Sequence, residues 1–489
     1  MIEPLQLGTP FFLVGICGAG MSSLAMLLRS IGMNVRGSDI ENCGFEAKRL
    51  ASLGILVMSE AEAAGALRND EILARSSAIR PDNVVLVAAR GIGSSVLHRT
   101  DVLSAVASQY FLIAVSGTHG KTTTSGMIGY ALAKQGFFPT ICVGGHIRGF
   151  DQAFPPEGTQ QKQIQGRAIM VLETDESDGS FLKFHPDVAV MTNIDRDHLG
   201  AYGDKFSNLA SAFAQFARQC AERGGLTIGC GDDIEVARIV QALPRHVLYG
   251  QEESNQVQID YRVQDNTAMV AREGTMRSFA MKRGDEKSYL NAVAACLACE
   301  AAGVPFAEAL SVLEGFPGME RRMQLLANHN GTLVLTDHAD HPTEIRATLQ
   351  AVSVRYPGRS VILVLQPHRF SRVRMCLEDY GPALAGVSRV VLLDIFPAGE
   401  TTECPEELNE RLRESVKTAV GDSLVPRMPV DQMLDVLRVS ATWGDVVLFM
   451  GPGDVNKLGL RFCGLLTSGN TVQYQTTTPL EGCTKQEND

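Results

Sequence analysis

The chain has 489 residues, more than one hydrophobic core usually holds, and about 150 residues per domain suggests roughly three domains. A formal net charge of -11 and a pI near 5.5 exclude a general nucleic-acid binder or a basic membrane-surface protein, so any anionic ligand must be caught by local donors. Eleven scattered cysteines without disulfide-like spacing fit a reducing compartment, and the isolated Cys296/Cys299 pair, in an alanine-rich helical stretch, reads as packing.

At the N-terminus, Glu3 stands where a basic flank would be, and Gly15, Gly18 and Gly20 interrupt the apolar run, so neither a signal peptide nor a membrane span is expected. Residues 11 to 39 predict strand, glycine turn, helix from Met21 to about Ile31, then strand from Met33 to Arg36, a Rossmann-like opening. The glycine order is GxxGxG, not GxGxxG. Asp39 ends the second strand, where a carboxylate could read a ribose or base. A nicotinamide site, a nucleotide-diphosphate site and a structural turn all remain open here. Val84 to Ala88 reads as a further strand, and the first unit ends near 107.

The second unit, from about 108 to 322, opens on the buried strand Phe111 to Val115, followed by Ser116-Gly117-Thr118-His119-Gly120-Lys121-Thr122-Thr123-Thr124 and a helix-forming stretch to Lys134. Gly117 and Gly120 let backbone N–H groups turn toward an anion at a helix N-terminus. Lys121 adds a point charge and Thr122 a hydroxyl for Mg²⁺. The usual Walker spacing would need glycine at Val115, so this shorter loop points to a narrower group of ATP users. Ile169 to Leu172 runs into Glu173, Asp175, Glu176 and Asp178, a strand ending in carboxylates of the kind that hold Mg²⁺ beside a nucleotide. Val188 to Met191 leads likewise to Asp195, Asp197 and His198, where a metal-ligand and a structural histidine are both open. Residues 151 to 166 read as a loop and 250 to 287 as short strands or an insertion.

From Met323 onward strands and helices alternate, implying a third α/β layer. Gln366-Pro367-His368-Arg369-Phe370-Ser371-Arg372 directly follows the strand Ser360 to Leu365. Its two guanidiniums could clamp a carboxylate with forked hydrogen bonds. Asp394 to Glu400 and Gly451 to Asp454 follow two further strands, and the polar tail after about Thr467 reads as disordered.

Taken in order, Gly15-Ile-Cys-Gly-Ala-Gly-Met-Ser, the loop from Ser116 to Thr124, Glu173-Thr-Asp-Glu-Ser-Asp, Thr192-Asn-Ile-Asp-Arg-Asp-His, the Gln366 to Arg372 segment and Asp394-Ile-Phe-Pro-Ala-Gly-Glu closely resemble the ATP-dependent Mur ligase family, over nearly the whole chain. The resemblance implies a three-domain α/β protein: a Rossmann-like UDP-sugar domain over 1–107, a central P-loop ATPase domain over 108–322, and a Rossmann-like amino-acid domain over 323–489. It implies ATP-dependent ligation of L-alanine to UDP-N-acetylmuramate through an acyl phosphate, in cytoplasmic peptidoglycan synthesis, by a monomer or weak homodimer that binds neither nucleic acid nor membrane.

The same resemblance implies roles for individual residues. Gly18, Ala19, Gly20, Met21 and Ser22 would cradle the UDP diphosphate, with Asp39 at the nucleoside. Gly117, Thr118, His119, Gly120, Lys121, Thr122, Thr123, Asn291 and Asp337 would bind ATP, Thr122 would hold one Mg²⁺, and Glu173 and His198 would hold a second. Arg321 or Arg322, at the hinge beginning Pro317-Gly318, would reach the transferred phosphate. Arg369 and Arg372 would take the alanine carboxylate, with His368 near its amine. The chain departs from the family pattern at Ser23, at Lys287-Ser288, and at four of the seven positions Thr336 to Pro342. It has no lysine from Phe206 to Met281, so the carbamoylated lysine of related ligases is not expected. A tripeptide-recycling ligase, a dehydrogenase and a non-catalytic UDP-sugar binder are the alternatives.

Overall fold

The computed structural model describes residues 7–467, apart from 41, 77, 151–152, 156–158, 198, 263–266, 282–285, 399, 401 and 442–443. The expected disordered tail and His198 lie outside the described residues. Among these residues the strands form three sheets. The first holds β1 (Pro10–Val14), β2 (Asn34–Ser38), β3 (Leu56–Met58), β4 (Ile72–Arg75) and β5 (Val96–His98), all parallel, in the order β3-β2-β1-β4-β5. Helices cover both faces, so β1 is buried nearly throughout and reads as a continuous apolar run.

One expectation fails here. Val84 to Ala88 belongs to the helix Val84–Gly91, not to a strand. The Asn83 side chain accepts a hydrogen bond from the Val85 amide at 2.9 Å, capping the first turn, and Val85, Leu86 and Ala89 are buried at helical spacing. Local β-propensity yields to the cap and to the crossover that must join the parallel neighbours β4 and β5.

The second sheet is built on β6 (Phe111–Ser116), β7 (Thr140–Cys142), β8 (Gln163–Ile164), β9 (Arg167–Glu173), β10 (Val188–Met191), β11 (Leu226–Cys230), β12 (His246–Gly250), β13 (Val257–Arg262), β14 (Thr267–Arg272) and β15 (Thr275–Phe279). Strand β6 lies between β9 and β10, parallel to both. The three strand ends expected to carry chemistry are therefore immediate neighbours. The 250 to 287 region adds the antiparallel run β13-β14-β15, and β8 sits in the stretch read as a loop.

The first two sheets share one core. Leu24, Leu27, Val102 and Val106 pack in the same buried cluster as Leu112, Met170, Phe213 and Phe216. Accordingly the chain divides into two compact units, Met1–Met319 and Glu320–Asp489. The second unit has one sheet, β16 (Gln324–His329), β17 (Thr332–Asp337), β18 (Val361–Leu365), β19 (Arg389–Leu392) and β20 (Val446–Met450), in the order β16-β17-β20-β18-β19, parallel except for the antiparallel edge strand β16. Leu363, Leu448 and Tyr380 fill one of its faces, and Val364, Phe449 and Phe462 the other.

Cys296 and Cys299 are fully buried in the helix Glu286–Ala301, and burial pushes both thiols up, as packing residues require. No helix among the described residues is long and apolar enough to cross a membrane.

Candidate active site

In the first unit the phosphate loop leaves β6 at a chain reversal that only glycine accommodates. Gly117 has φ +134°, and a Cβ there would stand 2.0 Å from Thr192 Oγ1; Gly120 has φ +83°, and a Cβ there would stand 2.9 Å from Asn291 Oδ1. Asn291 thus lies against the loop. The chain after β10 braces it. Thr192 Oγ1 donates to the His119 carbonyl at 2.6 Å, the His119 amide donates to Asn193 Oδ1 at 2.8 Å, and the Asp195 amide donates to Thr118 Oγ1 at 2.8 Å. The His119 ring faces Asp195 at 3.3 Å. Gly120 opens the helix Lys121–Lys134, so Lys121, Thr122 and Thr123 occupy its first turn.

Lys121 is folded back on this loop. Its ammonium donates to the carbonyls of Gly117 (2.6 Å) and Thr118 (3.1 Å) and pairs with Glu176 at 2.8 Å. Burial pushes the Glu176 carboxyl up to about 7, the Lys121 charge offsetting only part of the effect. For Lys121 burial acts downward, but the charge and hydrogen bond of Glu176, with Asp175 and Glu173, leave it raised and cationic. The Tyr202 hydroxyl donates to the Glu176 carbonyl at 2.5 Å.

Beside it, Thr122 Oγ1 donates to Glu173 Oε1 at 2.8 Å, and the Gly144 amide to Glu173 Oε2 at 2.6 Å. A hydroxyl and a carboxylate, both hard oxygen donors, therefore converge at the ends of β6 and β9. That donor set fits Mg²⁺.

The glycine turn after β1 packs tightly. The Met21 and Ser22 amides bond back to the Gly18 carbonyl, and a Cβ at Gly20 would stand 2.7 Å from Arg99 Nη1. Ala19 begins the helix that follows. Asp39 Oδ2 accepts from the Cys17 amide at 2.8 Å, so its carboxylate braces the turn itself. Arg99, at the start of the helix Arg99–Ala107, also faces Asp175 at 3.8 Å.

In the second unit, loops after β17, β18, β19 and β20 meet at one sheet edge. Arg321, at φ +55°, donates to the Pro452 carbonyl at 2.8 Å and the Gly451 carbonyl at 3.2 Å. Asp337 accepts from the Met323 amide (2.7 Å), the Ala339 amide (2.9 Å) and the Thr348 hydroxyl (3.3 Å), and burial raises its carboxyl. His338 is held neutral, pushed down to about 3 by burial and by Arg322 and Arg321. Asp340 is 5 % exposed and binds Arg372 Nη1, with His368 Nδ1 at 3.5 Å from the same Oδ2. The His368 ring stacks on Phe396 at 5.8 Å. Arg369 sits at φ +67°, a strained conformation for a residue with a Cβ, held by its amide donating to the Phe396 carbonyl at 2.8 Å.

Reading the sequence missed five contributors: Glu176 as the partner of Lys121, Thr192 and Asn193 as loop braces, Arg99 over the glycine turn, and Asp340 beside His368 and Arg372. Glu176, Thr192 and Asn193 lay inside segments already marked by their place after strands. Arg99 carried no such signal.

Three family profiles match the chain: "Mur ligase family, catalytic domain" over residues 11–111, "Mur ligase middle domain" over 115–299, and "Mur ligase, glutamate ligase domain" over 321–453. The UDP-N-acetylmuramate–L-alanine ligase of Carboxydothermus hydrogenoformans is 35% identical over 459 residues, 92% of this chain and 95% of that protein. The ligase of the same name from Bdellovibrio bacteriovorus is 35% identical, covering 92% and 97%. Among solved structures, the UDP-N-acetylmuramate-alanine ligase MurC of Thermotoga maritima superposes with TM-score 0.77 at 24% identity, covering 94% of this chain and 100% of that one. The MurF ligase of Thermotoga maritima in complex with ADP shares the fold at TM-score 0.59 and 15% identity, covering 95% and 100%. With matched domains in series from residue 11 to 453, and relatives 35% identical along almost their whole length, the chain belongs to the Mur ligase family.

Proposed function

We propose that this chain ligates L-alanine to UDP-N-acetylmuramate with consumption of ATP, giving UDP-N-acetylmuramoyl-L-alanine, ADP and phosphate for peptidoglycan synthesis. The choice of substrates rests on the relatives that carry that name along nearly the whole chain. The observation that carries the chemistry is the loop in which Lys121 stands beside a Thr122 hydroxyl only 2.8 Å from Glu173.

A carboxylate is a poor electrophile, so the muramoyl carboxylate must first be activated. One of its oxygens attacks the γ-phosphorus, the bond to the β-phosphate oxygen breaks, and ADP leaves an acyl phosphate behind. The neutral amine of L-alanine then attacks the acyl carbon, phosphate departs, and the amine proton is lost. Lys121 and the amides of Gly120 to Thr122 are the donors that hold the β- and γ-phosphates. To do so Lys121 exchanges the Gly117 and Thr118 carbonyls and Glu176 for phosphate oxygens. Thr122 and Glu173 would hold Mg²⁺, with His198 as a further ligand, and the ion would offset repulsion between carboxylate and phosphate. Gly18 to Ser22 hold the UDP diphosphate at the start of a helix, joined by Arg99, while Asp39 keeps that turn in shape. Arg369 receives the alanine carboxylate with Arg372 and His368 beside it, and Arg321 and Asp337 shape the adjoining loop.

The protein works in the cytoplasm, as a monomer or weak homodimer. The test is phosphate release by the purified chain with UDP-N-acetylmuramate, ATP and Mg²⁺, with L-alanine present, omitted or replaced by a muropeptide tripeptide. Release that depends on alanine, with a product heavier by one alanyl residue, is expected. Release with tripeptide alone would move the chain to recycling, and sugar binding without release in any arm would make it a binder.

A further inference from the structure

Asp340 lies in the segment Thr336 to Pro342, where the chain departs from the family pattern at four of seven positions. It is nonetheless built firmly into the strand-end crevice of the second unit. Its backbone carbonyl accepts from the Tyr380 hydroxyl at 3.0 Å, and its side chain is 7% exposed. Both partners of the carboxylate, Arg372 and His368, fall on Oδ2. Oδ1 takes no hydrogen bond among the described residues. In the same loop, directly after His368, Arg369 is strained at φ +67° and has no hydrogen bond or ion pair from its guanidinium among those residues. The crevice thus offers one anionic acceptor and one cationic fork, the two charges of an amino-acid zwitterion. Arg372 is already engaged by Asp340 Oδ2, so a carboxylate finds one open arginine in this loop and not two.

We propose that Asp340 is the specificity-determining residue that accepts the ammonium group of the incoming amino acid through Oδ1, while Arg369 binds its carboxylate. The crevice then selects an α-amino acid over a bare carboxylate or a bare amine. This rests on the reading of the second unit as the amino-acid site. The departure from the family pattern thereby acquires a role, since Asp340 supplies a carboxylate oxygen with an open side.

The test uses the full chain, with propionate, which lacks the amine, as a competitive inhibitor against L-alanine. In the wild type the inhibition constant of propionate should exceed the KM of L-alanine at least about tenfold, since one charge-assisted hydrogen bond is missing. In Asp340→Asn the KM for L-alanine should rise about 10- to 100-fold, with the KM values for ATP and UDP-N-acetylmuramate unchanged and propionate inhibition as strong as before. The ratio of the two constants should therefore collapse. Parallel weakening of alanine and propionate would mean that Asp340 only holds the loop together, and would overturn the proposal; so would an unchanged ratio. If Asp340→Asn fails to fold, the wild-type comparison still decides, because propionate inhibiting as well as alanine binds leaves no ammonium contact to assign. Wild-type phosphate release that does not depend on alanine overturns the functional reading itself, and this inference with it.

Discussion

The glycine loop after β6 and the crevice of the second unit both sit at the carboxyl ends of parallel strands, yet they are assembled differently. In the loop, Gly117 to Thr122 are contiguous, and the residues that brace them come from the adjacent strands β9 and β10. The crevice joins Asp340 after β17 to His368 and Arg372 after β18, with β20 lying between those strands in the sheet. A short local motif can specify the first arrangement almost alone. The second depends on pairings between distant segments.

The strongest way to break this contrast is Lys121→Ala, which should lower alanine-dependent phosphate release about a thousandfold while circular dichroism and melting stay those of a folded protein. Retained turnover would remove the loop from the chemistry. Next, Arg369→Ala should raise the KM for L-alanine about 10- to 100-fold and leave ATP binding alone, measured by steady-state kinetics against each substrate in turn. If ATP binding suffers equally, the two sites are not separable as described. A finer probe is Thr192→Val, which removes the hydroxyl bonded to the His119 carbonyl. At about 1 kcal/mol for one hydrogen bond, the KM for ATP should rise roughly fivefold, with the alanine KM unmoved.

The smallest effect concerns Glu176. Its carboxyl titrates near 7 in the fold, above the ordinary value of about 4.3. The stability it contributes is complete below the unfolded value and is lost as pH rises through the folded one. The Tm of Glu176→Gln relative to wild type should therefore climb by a few degrees between pH 5 and pH 8. A flat difference in calorimetry would show that the carboxyl is not shifted.

Legibility in the sequence follows the same division. Gly117, Gly120, Lys121, Thr122 and Glu173 could be placed because strand composition, glycine spacing and a carboxylate at a strand end are all local signals. Val84 to Ala88 reads as a strand because valine-rich β-propensity is local, while the crossover served by the helix Val84–Gly91 is not. The ion pair of Lys121 with Glu176 spans 55 positions, and that of Arg372 with Asp340 spans 32. No spacing rule reaches that far. The sequence marked Asp39 as a carboxylate at a strand end, but its bond from the Cys17 amide to Oδ2 spans 22 positions.

The core shared by the first two sheets bears on where this chain can be cut. A fragment ending at residue 107 would carry Val102, Val106 and Ala107 out into water, and would lose the Ser104 hydroxyl bond to the Lys183 carbonyl together with the Asp101–Lys183 pair. Its partner fragment would be left with Leu112, Met170 and Phe216 uncovered. Three modules are visible in the sheets, but the compact units are two, Met1–Met319 and Glu320–Asp489, so a fragment for expression or grafting should keep residues 1–319 together.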